Sequence, residues 1–401
     1  MKQYTYLIVG GGMAADAAVR GIREVDADGS IAILTREPSP PYQRPPLSKD
    51  LWTEDLDPSQ IDCGTASEGA EVFAGRTVQS INPQNKTVSD QNETYRYEKL
   101  LLATGGSPNR LPFEPTDRAV YYRTLDDFRT VKDQAETTDR FAVIGGSFIG
   151  CEMAAALLAN GKKVSVMFPE EAPFRRLFPK KVSMDLLRLF EEQGAEMIPG
   201  IKLSDLHCDS ESCRLVLENG QLMNAGAVII GIGIQPNIEL AESAGLKTGD
   251  GIEANRQLQT SDPDIYAAGD VVRFYNPALD QMLRVEHEDH ALQSGKTAGQ
   301  NMAGQSLEYD HLPFFYSDLF GESCEAIGVL DSSLQTDGIW NGVHEKGIWV
   351  YLKDRRVVGV LMWNLSGKME LARALIAEPE PLSAQELKLR LGTFLAEEND
   401  E

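Results

Sequence analysis

Tyr6-Leu-Ile-Val9 is a short, unbroken apolar run, the pattern of a parallel strand buried on both faces. Gly10-Gly-Gly12 interrupts it, and apolar residues then recur at helical spacing at Ala17, Ala18, Ile22 and Val25. A second apolar run, Ile31-Ala-Ile-Leu34, ends at Thr35-Arg36-Glu37. The same succession returns later. Residues 141–144 form an apolar run, followed by Gly145-Gly-Ser147-Phe148-Ile149-Gly150 and a helix pattern holding Glu152, Ala154, Ala155, Leu157 and Leu158. A strand from Lys163 to Phe168 then ends at Pro169-Glu170. Near the C-terminus the pattern predicts strands over 326–330, 348–352 and 357–363. A short amphipathic helix is predicted after Pro379, ahead of an acidic tail, Glu397 to Glu401.

The turns between strand and helix carry the chemistry. Gly10, Gly12 and Ala15 fall in the Gly-x-Gly-x-x-Gly/Ala register, with Glu37 closing the second strand. Glycines permit the tight turn and bring backbone close to a pyrophosphate at the helix N-terminus, while an acid after the second strand takes ribose hydroxyls. In the second unit Ser147 replaces the middle glycine, a small change that still permits close approach. A 2′-phosphate would call for a basic residue after the second strand; Glu170 and Glu171 stand there, which favours NADH over NADPH.

Further motifs follow in order: Leu100-Leu-Leu-Ala-Thr104-Gly105, Gly231-Ile-Gly233-Ile-Gln-Pro-Asn237, and Thr260 through Tyr266-Ala-Ala-Gly-Asp270. Together with the two glycine turns they resemble the FAD/NAD-linked reductase superfamily that includes glutathione reductase. Pro41-Tyr-Gln-Arg44-Pro-Pro-Leu-Ser-Lys49-Asp-Leu-Trp resembles its ferredoxin-reductase-like branch. Disulfide reductases of the superfamily carry a redox cysteine pair in that region and this chain has none, so dithiol chemistry is not expected. Arg284-Val-Glu286-His287-Glu-Asp-His290-Ala, Glu325-Ala-Ile-Gly-Val-Leu and Val357-Val-Gly-Val-Leu-Met-Trp-Asn resemble the apoptosis-inducing-factor group; the long acidic insertion between the second and third of these segments is missing, and no mitochondrial presequence is expected.

The resemblance implies an α/β fold, with two Rossmann-like dinucleotide-binding domains and a C-terminal α+β domain. The FAD domain would span 1–116 and 240–309, the NAD domain 117–239, and the C-terminal domain 310–401. On the FAD side it implies roles for Gly10, Gly12, Met13, Ala14, Ala15 and Glu37, and for Arg44, Lys49, Val78, Thr104, Gly105 and Asp270. The segment of Glu286 and His287 would line the flavin and nicotinamide, with His287 near the adenine or the nicotinamide, and Tyr316 would stack by the flavin where relatives often carry Trp. On the NAD side it implies Gly145, Ser147, Phe148, Ile149, Gly150, Glu152, Glu170 and Gly233, with Phe148 stacking on, or gating, the nicotinamide. Lys49 and Glu152 would form a catalytic pair, although they are far apart in sequence. Arg36 would pack on the adenine. The implied function is NADH-dependent reduction of FAD, with electrons passed to a small iron–sulfur protein or a quinone. The alternative is a redox sensor or assembly factor in which NADH forms a long-lived reduced-flavin/NAD complex and changes dimerisation.

Composition narrows the partners. With 38 basic and 61 acidic residues the chain carries a formal charge of −23 and a pI near 4.7, which disfavours nucleic acid and anionic membranes. A local basic cluster, Arg175, Arg176, Lys180 and Lys181, would steer an acidic partner. No apolar run reaches a membrane span, and no secretory signal is expected at Met1 to Tyr6. Glu286, His287 and His290 have poor spacing for zinc, and no metal is expected. The five cysteines, at 63, 151, 208, 213 and 324, contain no Cys-x-x-Cys and read as reduced thiols in a cytoplasm. Cys208 and Cys213 flank a polar stretch that suits a hairpin.

Overall fold

The computed structural model describes residues 1–54, 56–113 and 116–395, which divide into two compact units. The first comprises 1–45, 57–107 and 234–313; the second comprises the described residues of 46–56, 108–233 and 314–395. The acidic tail lies outside the described residues.

In the first unit five parallel strands run side by side: Ala70–Phe73, Ile31–Leu34, Lys2–Val9, Thr94–Leu102 and Ile265–Ala267. An antiparallel hairpin, Val78–Asn82 and Thr87–Asp90, pairs with the N-terminal half of Thr94–Leu102. Leu7, Ile8, Ala32, Ile33 and Leu100 are fully buried, which is why these strands read as continuous apolar runs rather than alternating ones. Helices Met13–Arg23 and Glu288–Met302 cross at Gly295 and Gly299, where an added Cβ would run into the Ala14 and Ala18 carbonyls. The helix after the first strand is therefore held closely against Glu288–Met302.

The second unit repeats the plan. Glu196–Pro199, Lys163–Phe168, Arg140–Ile144, Ala227–Ile230 and Ala119–Tyr121 form a five-stranded parallel sheet. A three-stranded antiparallel meander, Leu203–Cys208, Cys213–Leu217 and Leu222–Ala225, adds a platform. The C-terminal segment forms a five-stranded antiparallel sheet in the order Phe314–Leu319, Glu322–Gly328, Arg356–Trp363, Gly347–Lys353, Gln335–Ile339. Helix Ala384–Leu395 buries Leu387, Leu391 and Phe394, the amphipathic face predicted after Pro379. The three strands predicted from apolar runs are the inner ones. Phe314–Leu319 and Gln335–Ile339 are the edges, and an edge strand carries no continuous apolar run to reveal it.

One expectation fails outright. Cys208 and Cys213 face each other across the hairpin and form a disulfide, so the five cysteines are not all reduced thiols. The polar stretch between them closes the turn, with Asp209 accepting from the Glu211 and Ser212 amides, and that geometry brings the sulfurs together. Thiol titration of the unreduced, denatured protein is expected to count three thiols, at Cys63, Cys151 and Cys324, and five after reduction. Among the described residues no helix is long and apolar enough to cross a membrane.

Candidate functional site

In the first unit, the chain turns from strand to helix at Gly10, whose φ of +118° few side chains tolerate. A Cβ there would collide with the Ala103 carbonyl. Gly12 is the N-cap of helix Met13–Arg23, in extended conformation, and a Cβ there would meet nothing within 4 Å. The open space lies at a helix end that no side chain caps, with Ala14 and Ala15 in the first turn. That is the cradle a pyrophosphate fits. Thr104 and Gly105 are tied to Asn237: the Thr104 hydroxyl donates to the Asn237 carbonyl at 2.8 Å, and the Asn237 amide returns to the Thr104 carbonyl at 2.8 Å.

Glu37 does not stand alone. Arg44 Nη2 approaches Glu37 Oε1 at 2.5 Å and the Tyr42 hydroxyl donates to Oε2 at 2.6 Å. Burial pushes the Glu37 carboxyl up, but Arg44 and Tyr42 outweigh it and hold it below the usual carboxylate range. The Arg44 amide donates to Met13 Sδ at 3.5 Å, which links the segment to the glycine turn. Arg36 donates to the Ser107 hydroxyl, and Val78 is buried at the start of its strand.

Asp270 lies on the one-turn helix Gly269–Val271, whose Gly269 amide donates to Ser294 Oγ at 3.0 Å. His287 is the N-cap of Glu288–Met302, and Glu286 pairs with Arg284 at 2.6 Å. Burial pushes both His287 and His290 down to about 4. His290 is fully buried, stacked on Phe274, and bonded through Nδ1 to the Tyr309 hydroxyl at 2.8 Å; its Nε2 has no hydrogen-bond partner among the described residues. An imidazole kept neutral in the fold, with an unfolded pKa of about 6.5, takes up a proton on unfolding. Stability from this group is therefore full above about 6.5 and declines as pH falls toward about 4. In His290→Asn the melting temperature is expected to drop at neutral pH and its dependence on pH across that window to flatten. An unchanged acid slope would show that His290 is not the titrating group.

In the second unit, Gly145 holds φ of +127° and a Cβ there would run into the Gly231 carbonyl. Ser147 is the N-cap of Phe148–Ala159 and its side chain makes no cap bond to the first-turn amides. Phe148 packs edge-on against Phe174 at 5.2 Å and Phe315 at 4.8 Å, while Ile149 is half-buried behind the turn and Gly150 lies in the first helical turn. Gly233 adopts a positive φ and accepts from the Asn109 amide.

Glu152 is buried on that helix, and the structure brings Lys49 to it: Nζ lies 3.7 Å from Oε1. Two residues not anticipated from sequence complete the arrangement. The Ser48 hydroxyl donates to Oε2 at 2.6 Å and the Ser317 hydroxyl to Oε1 at 2.7 Å. Both carboxylate oxygens thus have a hydrogen bond from a serine, while Lys49 contributes charge at longer range and sits 4.2 Å over the Tyr316 ring. Ser48 adjoins Lys49 and Ser317 adjoins Tyr316, so proximity to named residues was the one sequence signal. Cys324, beside Ser317 across the strand pair, is pushed by burial up to about 12, and buried Cys151 is raised as well, so both thiols stay neutral near pH 7.

Glu170 pairs with Arg176 at 2.6 Å, and Glu171 with Arg175 at 2.8 Å and Lys180 at 2.7 Å. The basic cluster expected to steer an acidic partner is therefore largely neutralised by its own neighbours.

Residues 4–295 match the family model for pyridine nucleotide-disulphide oxidoreductases, and 298–345 and 341–378 match the C-terminal model of mitochondrion-associated apoptosis-inducing factor. The chain is 33% identical to apoptosis-inducing factor 1 of Dictyostelium discoideum, covering 94% of this chain and 79% of that protein. It is 30% identical to the putative Drosophila melanogaster apoptosis-inducing factor 1, of whose length it spans 63%. It is 31% identical to the ferredoxin–NAD(+) reductase component of the anthranilate 1,2-dioxygenase system of Burkholderia cepacia, over 98% of this chain and all of that one. Among solved structures, a chain of the covalent putidaredoxin reductase–putidaredoxin complex superposes with a TM-score of 0.89 at 26% identity, covering 99% and 100% of the two chains. The chain therefore belongs to the pyridine nucleotide-disulphide oxidoreductase family, and is an FAD-dependent NAD(P)H oxidoreductase with two Rossmann-like domains and a C-terminal α+β domain.

Proposed function

We propose that the chain takes hydride from NADH onto FAD and releases electrons to a small iron–sulfur protein. Bound FAD supplies acceptance of two electrons from the nicotinamide and their release one at a time. The amides at Gly12 and the first helical turn hold its pyrophosphate, Glu37 the ribose and Asp270 the ribityl end. The turn at Ser147 takes the nicotinamide nucleotide, with Glu170 on the adenosine ribose and Phe148 against the nicotinamide. In domain terms, 1–116 and 240–309 serve FAD, 117–239 serves NADH, and 310–401 is the C-terminal α+β domain.

One observation carries the reading. The segment 41–52, where disulfide reductases hold a cysteine pair, contains Ser48 and Lys49, and both engage buried Glu152. Charge and hydrogen bonds replace thiols there, as suits a reductase that hands electrons outward. The relatives support the acceptor: one is a ferredoxin–NAD(+) reductase component along its whole length. A second reading, redox sensing with a redox-dependent homodimer, is favoured by the C-terminal match to apoptosis-inducing factor.

The purified chain is expected to bind about one FAD and, without oxygen, to be reduced by NADH within a stopped-flow record. A second mix with an oxidised ferredoxin then separates the readings: rapid reoxidation supports the reductase. Full reduction by NADH with no electron transfer to any ferredoxin and a shift to dimer supports the sensor. A colourless protein that rejects added FAD removes both.

A further inference from the structure

Glu170 discriminates against a 2′-phosphate only as far as its charge is unopposed, and in this structure it is opposed. Arg176 Nε lies 2.6 Å from Glu170 Oε1, with 22% of the Glu170 side chain exposed and 81% of the Arg176 side chain. The guanidinium thus rests across the carboxylate on its solvent side. Arg175 and Lys180 are both committed to Glu171.

The backbone that carries these residues is held in place. The Phe174 amide donates to the Gly146 carbonyl at 2.7 Å, tying the segment to the glycine turn itself. Ser332, in the C-terminal segment of the same unit, donates from its amide to the Arg176 carbonyl at 3.0 Å and from its hydroxyl to the Arg175 carbonyl at 2.7 Å. The Tyr351 hydroxyl bonds the Leu177 carbonyl at 2.8 Å. Freeing Arg176 would therefore need no reorganisation of its loop, only loss of the acid it covers.

We infer that Arg176 is a latent 2′-phosphate ligand, silenced by its ion pair with Glu170, so that removing one carboxylate charge opens the nucleotide site to 2′-phosphorylated dinucleotides. The inference rests on the assignment of Glu170 to the adenosine ribose. Guanidinium is suited to the role because its planar fork matches phosphate oxygens and stays charged at every working pH. Arg175 and Lys180 remain on Glu171 when Glu170 is neutralised, so a single cation is released.

The test measures binding of NAD+ and NADP+ to the FAD-loaded full chain by calorimetry, which requires no turnover. Glu170→Gln is expected to tighten NADP+ by about tenfold or more and to weaken NAD+ by a few-fold, as one ribose acceptor changes from carboxylate to amide. Arg176→Gln alone is expected to weaken NADP+ further, because it uncovers the acid. In Glu170→Gln/Arg176→Gln the NADP+ gain is expected to disappear, which a general easing of repulsion would not do. If Glu170→Gln weakens NAD+ but leaves NADP+ unchanged, or if the gain survives without Arg176, the latent ligand is refuted while the ribose assignment stands. If neither nucleotide responds to any variant, the ribose assignment falls and the inference with it.

Discussion

Changing Lys49 or Glu152 to alanine is expected to slow reduction of the flavin by NADH about 10²-fold in each case, with FAD still bound. Their effects on stability are expected to differ, because the two side chains are held differently. Glu152 has a serine hydroxyl on each oxygen, from Ser48 and Ser317, whereas Lys49 reaches it at 3.7 Å and otherwise leans on the Tyr316 ring. Removing Lys49 leaves the carboxylate with both hydrogen bonds. Removing Glu152 leaves a mostly buried ammonium without its counter-charge and two serine hydroxyls without their acceptor, a loss of about 3 kcal/mol. Glu152→Ala should therefore melt well below Lys49→Ala. The double variant, which no longer strands the ammonium, should be more stable than Glu152→Ala and slower by less than the product of the single effects. Additive rates together with additive stabilities would mean that the pair is not a coupled unit.

Much of this architecture was legible because burial writes itself into apolar runs. The runs that begin at Tyr6, Ile31, Phe141 and Lys163 became central parallel strands, and the glycine turns between them fell where the chain reverses. What was not legible has two physical sources. Edge strands such as Gln335–Ile339 bury too little to carry an apolar run. Long-range polar contacts leave no periodic trace: Ser317 and Glu152 meet across 165 residues, and neither spacing nor composition pairs them. The cysteine reading failed for a related reason, since four residues lie between Cys208 and Cys213 and the hairpin register alone decides whether their sulfurs meet. The basic cluster misled because composition counts charges and does not show their partners. Arg175, Arg176 and Lys180 turned out to face Glu170 and Glu171.

Gly12→Asp is expected to abolish FAD binding while leaving the flavin-free protein as stable as before, or slightly more so. The opposite signs follow from what surrounds this residue. Gly12 is extended, at φ −95° and ψ −173°, a conformation open to any side chain, and an added Cβ meets nothing within 4 Å. Aspartate is among the best N-cap residues, and here its carboxylate would accept from the first-turn amides that no side chain now caps. The gain over glycine is a few tenths of a kcal/mol, with about 0.3–1 kcal/mol more from the helix dipole. Those amides and that space are what the pyrophosphate requires, so the same carboxylate consumes the donors and places like charge against the ligand. A loss of at least about 10³-fold in FAD affinity is expected. Melting curves of the flavin-free proteins, set beside the visible absorbance after FAD addition, read both signs at once. Gly10→Ala supplies the contrast: its Cβ would strike the Ala103 carbonyl and its φ of +118° strains any side chain, so stability itself should fall by about 2–4 kcal/mol. A yellow Gly12→Asp protein with one FAD per chain would show that the first glycine turn does not hold the flavin's pyrophosphate. A Gly12→Asp protein that melts as low as Gly10→Ala would show that the residue is retained for the fold rather than for the ligand.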